Sequence, residues 1–163
     1  MSYVEALTIF HTGLSLAAIA AGIPAVVGLF APSLRGWISP FLALAVATSV
    51  TGYFFPFSVV TPAVIVGAIA LLVLATVYYA ARRLGGSPIW RGIYAGGVVA
   101  SLYLLVLVAI AQAFLKIDPL ARLAPNQTEP PFAIAQFVAI TAFLAIGFIA
   151  TRRFSAAPVR DPA

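Results

Sequence analysis

The stretch WRGIYAGGVVASLYLLVLVAIAQAFL, residues 90–115, carries one charged side chain, Arg91, in 26 residues. An α-helix rises about 1.5 Å per residue, so about 20 apolar residues cross the hydrocarbon core of a lipid bilayer. The stretch therefore predicts a transmembrane helix, and the sequence on both sides of it repeats the pattern.

Four further apolar segments approach the length of a membrane span. They cover residues 3–30, 40–56, 61–81 and 132–150. Segment 40–56 is the shortest, and it would span by extending through Ile38 and Phe55 or by thinning the bilayer. The alternative is a re-entrant hairpin, which would leave four spans. We favour five, because the charges then sort to opposite sides of the membrane.

The predicted fold is all-α, an integral membrane bundle of five transmembrane helices in one domain over residues 1–153. A short disordered cytoplasmic tail, residues 154–163, is expected to follow. Between the spans, residues 31–37 predict a tight turn and residues 116–131 a long outer loop, since both are rich in proline and polar residues.

Composition supports a membrane class and excludes several kinds of site. The chain is 63% hydrophobic and 8% charged, whereas soluble domains carry about a quarter charged residues. It contains no Cys, which excludes disulfides and thiolate chemistry, and one His, which excludes a haem held by two histidines of one chain. The basic residues stand at the ends of apolar runs, so the expected partner is the lipid bilayer and not nucleic acid.

The arginines also predict an orientation. With five spans and the N-terminus outside, the outer side carries only Lys116 and Arg122. The inner side then carries Arg35, Arg82, Arg83, Arg91, Arg152, Arg153 and Arg160. Cytoplasmic loops attract Lys and Arg, so the C-terminus is predicted in the cytoplasm. The first five residues lack the basic group of a cleavable signal peptide, and the first segment is therefore interpreted as a retained helix.

The first helix carries a polar stripe. Thr8, His11, Thr12 and Ser15 recur at helical spacing and share one face. Polar residues within a span face the bundle interior or a cavity, and His11 would lie roughly 10 Å below the outer surface. Two interpretations stay open. The stripe contributes to a ligand or proton site, or it bonds neighbouring helices and only stabilises the bundle.

Other polar side chains are predicted at a similar depth in the outer half. They belong to the end of segment 40–56, the end of the fourth helix, the start of the fifth and the loop before it. The predicted ligand-binding set is His11, Thr12, Ser15, Ser49, Thr51, Gln112, Glu129 and Gln136. Pro130-Pro131 would hold Glu129 rigidly over the bundle mouth, the alternative being a solvated connector. We assign no catalytic residue, metal ligand or cofactor.

Four segments carry a resemblance to a known family. They are FHTGLSLAAIAAG (10–22), TSVTGYFFPF (48–57), QAFLK (112–116) and LAPNQTEPPF (123–132). The sequence resembles a family of small multi-pass bacterial inner-membrane proteins without a known activity. The resemblance covers most of the chain and implies a multi-pass protein of the bacterial inner membrane. It brings no cofactor or catalytic residue.

Three functions follow as hypotheses. The first is binding or transport of a small molecule through an outward-facing polar pocket. The second is a non-catalytic accessory or assembly role in a larger membrane complex. A less favoured third is a redox or enzyme subunit that uses His11. Small residues on the helix faces predict close packing and leave open whether the chain forms a homo-oligomer.

Overall fold

The computed structural model describes residues 2–56 and 61–156, and all regular structure in these ranges is helical. The elements are α1 (Tyr3–Gly28), a 3₁₀ helix (Pro32–Trp37), α2 (Ile38–Gly52), α3 (Pro62–Ala81), α4 (Pro88–Lys116), α5 (Asp118–Leu123) and α6 (Pro130–Ala156). Among the described residues, five segments are long and apolar enough to cross a membrane: α1, the 3₁₀ helix with α2, α3, α4 and α6. For the described residues, the prediction of an all-α fold with five helices long and apolar enough to span a membrane is confirmed.

Short-range chemistry sets the helix starts. Ser2 accepts a hydrogen bond from the backbone N–H of Glu5, and the Glu5 carboxylate accepts one from the backbone of Ser2 in return. This reciprocal cap satisfies N–H groups that have no partner within the helix. At α3 the cap is one-sided: the Thr61 side chain accepts a hydrogen bond from the backbone N–H of Val64, and Pro62 stands at the first helical position, where the missing N–H costs nothing.

Three boundaries differ from the sequence predictions. Residues 32–37 form a 3₁₀ helix that continues into α2, so the second span begins before Pro40 and reaches 21 residues. The long loop contains α5. Asp118 and Pro119 lie in its first turn and Arg122 lies in its last turn, and the helix dipole favours an acidic residue at the start and a basic residue at the end. Helix α6 continues to Ala156, past the predicted start of the tail. The remainder of that tail, residues 157–163, lies outside the described residues.

The spans alternate in direction, so their ends form two groups. We call the end that contains Tyr3, Gly52, Pro62, Lys116 and Pro130 the mouth end. The opposite end, with Gly28, Ile38, Ala81 and Pro88, is the arginine end. Hydrogen bonds join the mouth end, from Tyr3 Oη to the carbonyl of Phe54 at 3.2 Å and from Tyr53 Oη to that of Val64 at 3.1 Å.

The hydrophobic core fills the half of the bundle toward the arginine end. Its largest fully buried side chains are Phe41, Leu74, Val77 and Val98. Adjacent glycines of α4 allow two close approaches, because Gly96 faces Thr151 of α6 and Gly97 faces Val77 of α3. The sequence analysis predicts close packing through small residues, and packing of this kind holds helices together in lipid.

Four helices surround the other half. α1 packs against α2 and α4, α3 packs against the same two helices, and α6 packs mainly against α4. α1 and α3 therefore stand on opposite sides of a space that α2 and α4 close laterally. The core lies beneath this space, at the arginine end.

Candidate ligand cavity

The space between α1, α2, α3 and α4 is a cavity of about 640 Å³. Its floor includes Ile19, Ala45 and Leu74, which join or pack against the core. Thr8, Pro56 and Lys116 lie at the mouth end. Small-molecule sites in proteins have volumes of about 300–1,000 Å³ and are mostly apolar with a few placed polar groups. The cavity fits that description.

His11 lies on the cavity wall and is fixed by two neighbours from α2 and its following turn. Its Nδ1 is 2.9 Å from Thr51 Oγ1, and its ring meets that of Phe55 edge to face at a centroid distance of 5.4 Å. Gly52 lies beside the ring, and a Cβ there would make an ordinary contact of 3.5 Å with His11 Cε1. The hydrogen-bond partner of His11 is therefore a hydroxyl of a neighbouring helix.

Most of the predicted site residues are brought together. His11, Thr12, Ser15, Ser49 and Gln112 all line the cavity, and Thr51 is bonded to His11. The helical stripe on α1 therefore faces the cavity as expected. Its hydroxyls also bond within their own helix, since Ser15 donates to the carbonyl of His11 at 2.8 Å and Thr8 to that of Val4 at 2.7 Å.

Gln136 lies outside the cavity wall, in the contact between α6 and α4. Its Nε2 donates to the carbonyl of Leu107 at 3.1 Å. Its Oε1 is buried and has no hydrogen-bond partner among the described residues. The side chain therefore joins two helices, which is the usual role of an amide within a membrane bundle.

Glu129 is also separate from the cavity, because its carboxylate closes its own loop. It accepts hydrogen bonds from the side chain of Asn126 at 3.0 Å and from the backbone of Thr128 at 3.1 Å. Desolvation, the largest single effect, acts to raise the pKa of Glu129. Hydrogen bonds from its own backbone, from Asn126 and from Thr128 outweigh that effect and hold the pKa below its ordinary value. The preceding loop is tied to α4 by Gln127, whose Nε2 donates to the carbonyl of Ala111 at 2.7 Å.

Six polar cavity residues were absent from the predicted set: Thr8, Thr48, Tyr53, Thr61, Ser101 and Lys116. Ser101 and Lys116 lie at i−11 and i+4 from Gln112, so a helical projection around Gln112 would have found both on one face. Thr48 is 6% exposed, and its hydroxyl has no hydrogen-bond partner in the described part of the chain. From the sequence alone, a threonine among small residues indicates a helix-packing face, so Thr48 was not predicted as a site residue.

Lys116 is the one charged residue on the cavity wall within the described ranges. It is exposed at the C-terminal turn of α4, where a cation is favoured by the helix dipole. No group of three or more His, Cys, Asp or Glu side chains lies close enough to hold a metal ion among these residues.

Comparison with known proteins adds no family assignment. No family model, curated protein or solved structure matches the chain. The resemblance to small bacterial inner-membrane proteins therefore stays a prediction from sequence, and the function is argued from the cavity.

Proposed function

We propose that the chain is a protein of the bacterial inner membrane with the mouth end outside and the arginine end in the cytoplasm. The distribution of basic residues supports this orientation. Within the described ranges, the arginine end carries Arg35, Arg82, Arg83, Arg91, Arg152 and Arg153, against Lys116 and Arg122 at the mouth end. The bias toward the cytoplasmic side is strongest for short loops such as these.

Because the chain contains no cysteine, single introduced cysteines test the orientation directly. Thr128→Cys places a thiol at the mouth end, and Gly85→Cys places one at the arginine end, where added atoms meet open space. A membrane-impermeant maleimide applied to intact cells should label Thr128→Cys, and Gly85→Cys only after permeabilisation. The reverse pattern would invert the proposal.

The function we propose is binding of a small, mostly apolar molecule in the cavity. The observation that carries it is the cavity itself, about 640 Å³ between four helices with His11 on its wall. Membrane helices normally pack through small residues and leave little space between them. An imidazole is costly to bury within a membrane bundle, and this cost is offset when the ring hydrogen-bonds a ligand or a neighbouring side chain.

Binding is favoured over passage through the bundle. Beneath the cavity, Phe41, Leu74 and Val98 are each no more than 2% exposed, and they close the arginine end. A transport cycle would require a second arrangement of these packed helices. A binding protein that receives its ligand from the mouth end requires only the structure described.

The test fills the cavity and leaves the rest of the surface unchanged. Ala109→Phe places a ring in the cavity, and Ala142→Phe makes the same change on the exposed side of α6. Native mass spectrometry of the full chain released from nanodiscs of native membrane should show a bound small molecule in the wild type and in Ala142→Phe. Ala109→Phe should lose it. A wild type without any bound molecule, or equal occupancy in Ala109→Phe, would refute the function.

A second candidate, an accessory subunit of a larger complex, is favoured by α6. This helix packs mainly on α4 and exposes Phe137, Leu144 and Phe148. Such a surface suits a partner helix as well as lipid. Native mass spectrometry under the same conditions distinguishes the two, because a stable complex would appear as a protein adduct that Phe137→Ala weakens and Ala109→Phe leaves intact.

A further inference from the structure

The hydrogen bonds around His11 assign the proton on its ring. Thr51 Oγ1 is 3.1 Å from the carbonyl oxygen of Thr48 and 2.9 Å from His11 Nδ1. Thr51 Oγ1 donates to the carbonyl of Thr48, the bond to the preceding turn that helical Ser and Thr commonly make, and its single proton is assigned there. With that assignment Nδ1 carries a hydrogen and donates it to Thr51.

The consequence lies at the other ring nitrogen. A neutral imidazole has one N–H, so Nε2 is an acceptor when Nδ1 is the donor. The described residues offer no hydrogen bond to Nε2, while the ring lines the cavity. At His11 the wall therefore presents an acceptor to which no described residue donates.

Four hydroxyls on the cavity wall have the same bias. Ser15, Tyr53 and Ser101 each donate their proton to a backbone carbonyl, as does Thr8, at distances of 2.7–3.1 Å. Helical Ser and Thr commonly bond in this way to the preceding turn. What these four groups offer a ligand is oxygen lone pairs. The nitrogen donors on the wall are the Gln112 amide and Lys116, both toward the mouth end.

We infer that the ligand is a neutral amphiphile whose polar end is a hydrogen-bond donor, an alcohol or a phenol, with that donor on His11 Nε2 and its apolar body against Ile19, Leu74 and Leu105. The inference rests on the proposed function and narrows its ligand class. A ketone or an ether cannot donate to Nε2. A cationic head would meet Lys116 with no carboxylate on the described cavity wall.

His11 is the single histidine of the chain, so it gives a direct readout. Full-length protein with ¹⁵N-labelled histidine, purified without a histidine tag and placed in phosphatidylcholine nanodiscs, yields one pair of imidazole signals. Without ligand, Nδ1 should carry the proton and Nε2 should give the signal of an unprotonated nitrogen. A proton on Nε2 would overturn the inference at its first step.

Three matched probes then separate the ligand classes: 4-nonylphenol, its methyl ether 4-nonylanisole, and 4-nonylbenzoate. The phenol should shift the Nε2 signal and bind about tenfold more tightly than the ether, the value of one neutral hydrogen bond. Equal binding of phenol and ether would overturn the donor class and leave the cavity function standing. Tighter binding of the benzoate, lost in Lys116→Gln, would replace it with an anionic class. Failure of all three probes to bind would count against the cavity function itself.

Two variants complete the test. His11→Phe keeps a ring on the wall and removes the acceptor, so the preference for phenol over ether should disappear. Thr51→Val keeps His11 and removes the group that fixes its proton, so the nitrogen signals should report a mixture of the two tautomers and the preference should fall. Thr76→Val is the matched control. Thr76 donates to the carbonyl of Leu72 at 2.9 Å in the same way, but it is not part of this cavity wall. A preference that survives in Thr51→Val with an unchanged proton on Nδ1 would contradict the assignment.

Discussion

Three glycines of α1 predict a rank order of stability on substitution by alanine, because an added methyl group meets a different environment at each. At Gly13 nothing lies within 4 Å of the new Cβ. At Gly22 the Cβ would lie 2.5 Å from Leu102 Cδ1 and 3.0 Å from the Phe41 ring. At Gly28 it would lie 2.7 Å from the backbone oxygen of Leu34.

The size of each stability change depends on whether the atoms that the new methyl group meets can move. Alanine in place of glycine within a helix is worth about 0.5–1 kcal/mol, so Gly13→Ala should stabilise by that amount. Gly22→Ala has the same helix-propensity gain, but overpacking against Leu102 and Phe41 should cost about 1–3 kcal/mol. The cost stays in this range because both neighbours are buried side chains that can shift. Gly28→Ala meets backbone of the 3₁₀ helix, which no rotamer change relieves, so its loss should exceed that of Gly22→Ala.

Thermal unfolding of the three variants in one detergent, followed by circular dichroism, measures the order. The expected melting temperatures run from Gly13→Ala, above the wild type, through Gly22→Ala to Gly28→Ala, the lowest. Equal stability of Gly28→Ala and Gly13→Ala would refute the close packing of the 3₁₀ helix against the end of α1. Instability of Gly13→Ala would show that its face is covered in the folded protein.

Three further predictions concern the site, the loop and the end of α6. His11→Phe should cost only about 0.5–1.5 kcal/mol in the free energy of unfolding, because Thr51 keeps its bond to Thr48; a loss above about 3 kcal/mol would contradict this arrangement. Because the pKa of Glu129 is lowered in the folded protein, its carboxylate stabilises the loop above the ordinary value of 4.5, and this contribution is lost as the pH falls below it. Hydrogen exchange of residues 118–129 should report the loss, and Glu129→Gln should show no such transition. Phe154→Ala should cost about 1–2 kcal/mol in thermal unfolding, since the ring lies 5.8 Å from that of Tyr94 and 5.5 Å from the Arg35 guanidinium, whereas Phe137→Ala on the exposed side of α6 should change little.

Periodicity and length were sufficient for the spans, because membrane thickness acts on every span alike. The boundaries of α3 were predicted to within one residue. Thr61 and Pro62 mark its start as the cap and first helical residue, and the arginines that follow Ala81 mark its end. The 3₁₀ helix at Pro32 was missed, since a proline and glycine cluster predicts a turn when the packing that orders it is unknown. Phe154 was assigned to the tail because its contacts come from Arg35 and Tyr94, far away in the sequence.

The candidate site was predictable where one helix determines it. Helical spacing alone puts His11, Thr12 and Ser15 on one face, and that face lines the cavity. The choice between Gln112 and Gln136 required the packing order, because depth in the membrane is similar for both and only Gln112 faces the cavity. The tautomer of His11 depends on two hydrogen bonds of Thr51, and no pattern in the sequence indicates them.

The core lies in one half of the bundle and the cavity in the other, so each spanning helix that forms both is divided along its length. In α4, Val98 and Leu102 belong to the buried core, while Val108, Gln112 and Lys116 lie on the cavity wall. Substitutions on the cavity wall should change which ligand the protein accommodates at small cost to folding. Substitutions in the core should lower stability and leave the shape of the cavity largely unchanged. An engineer seeking a new specificity would therefore randomise the last two turns of α4 and the first two of α3, and leave the opposite halves untouched.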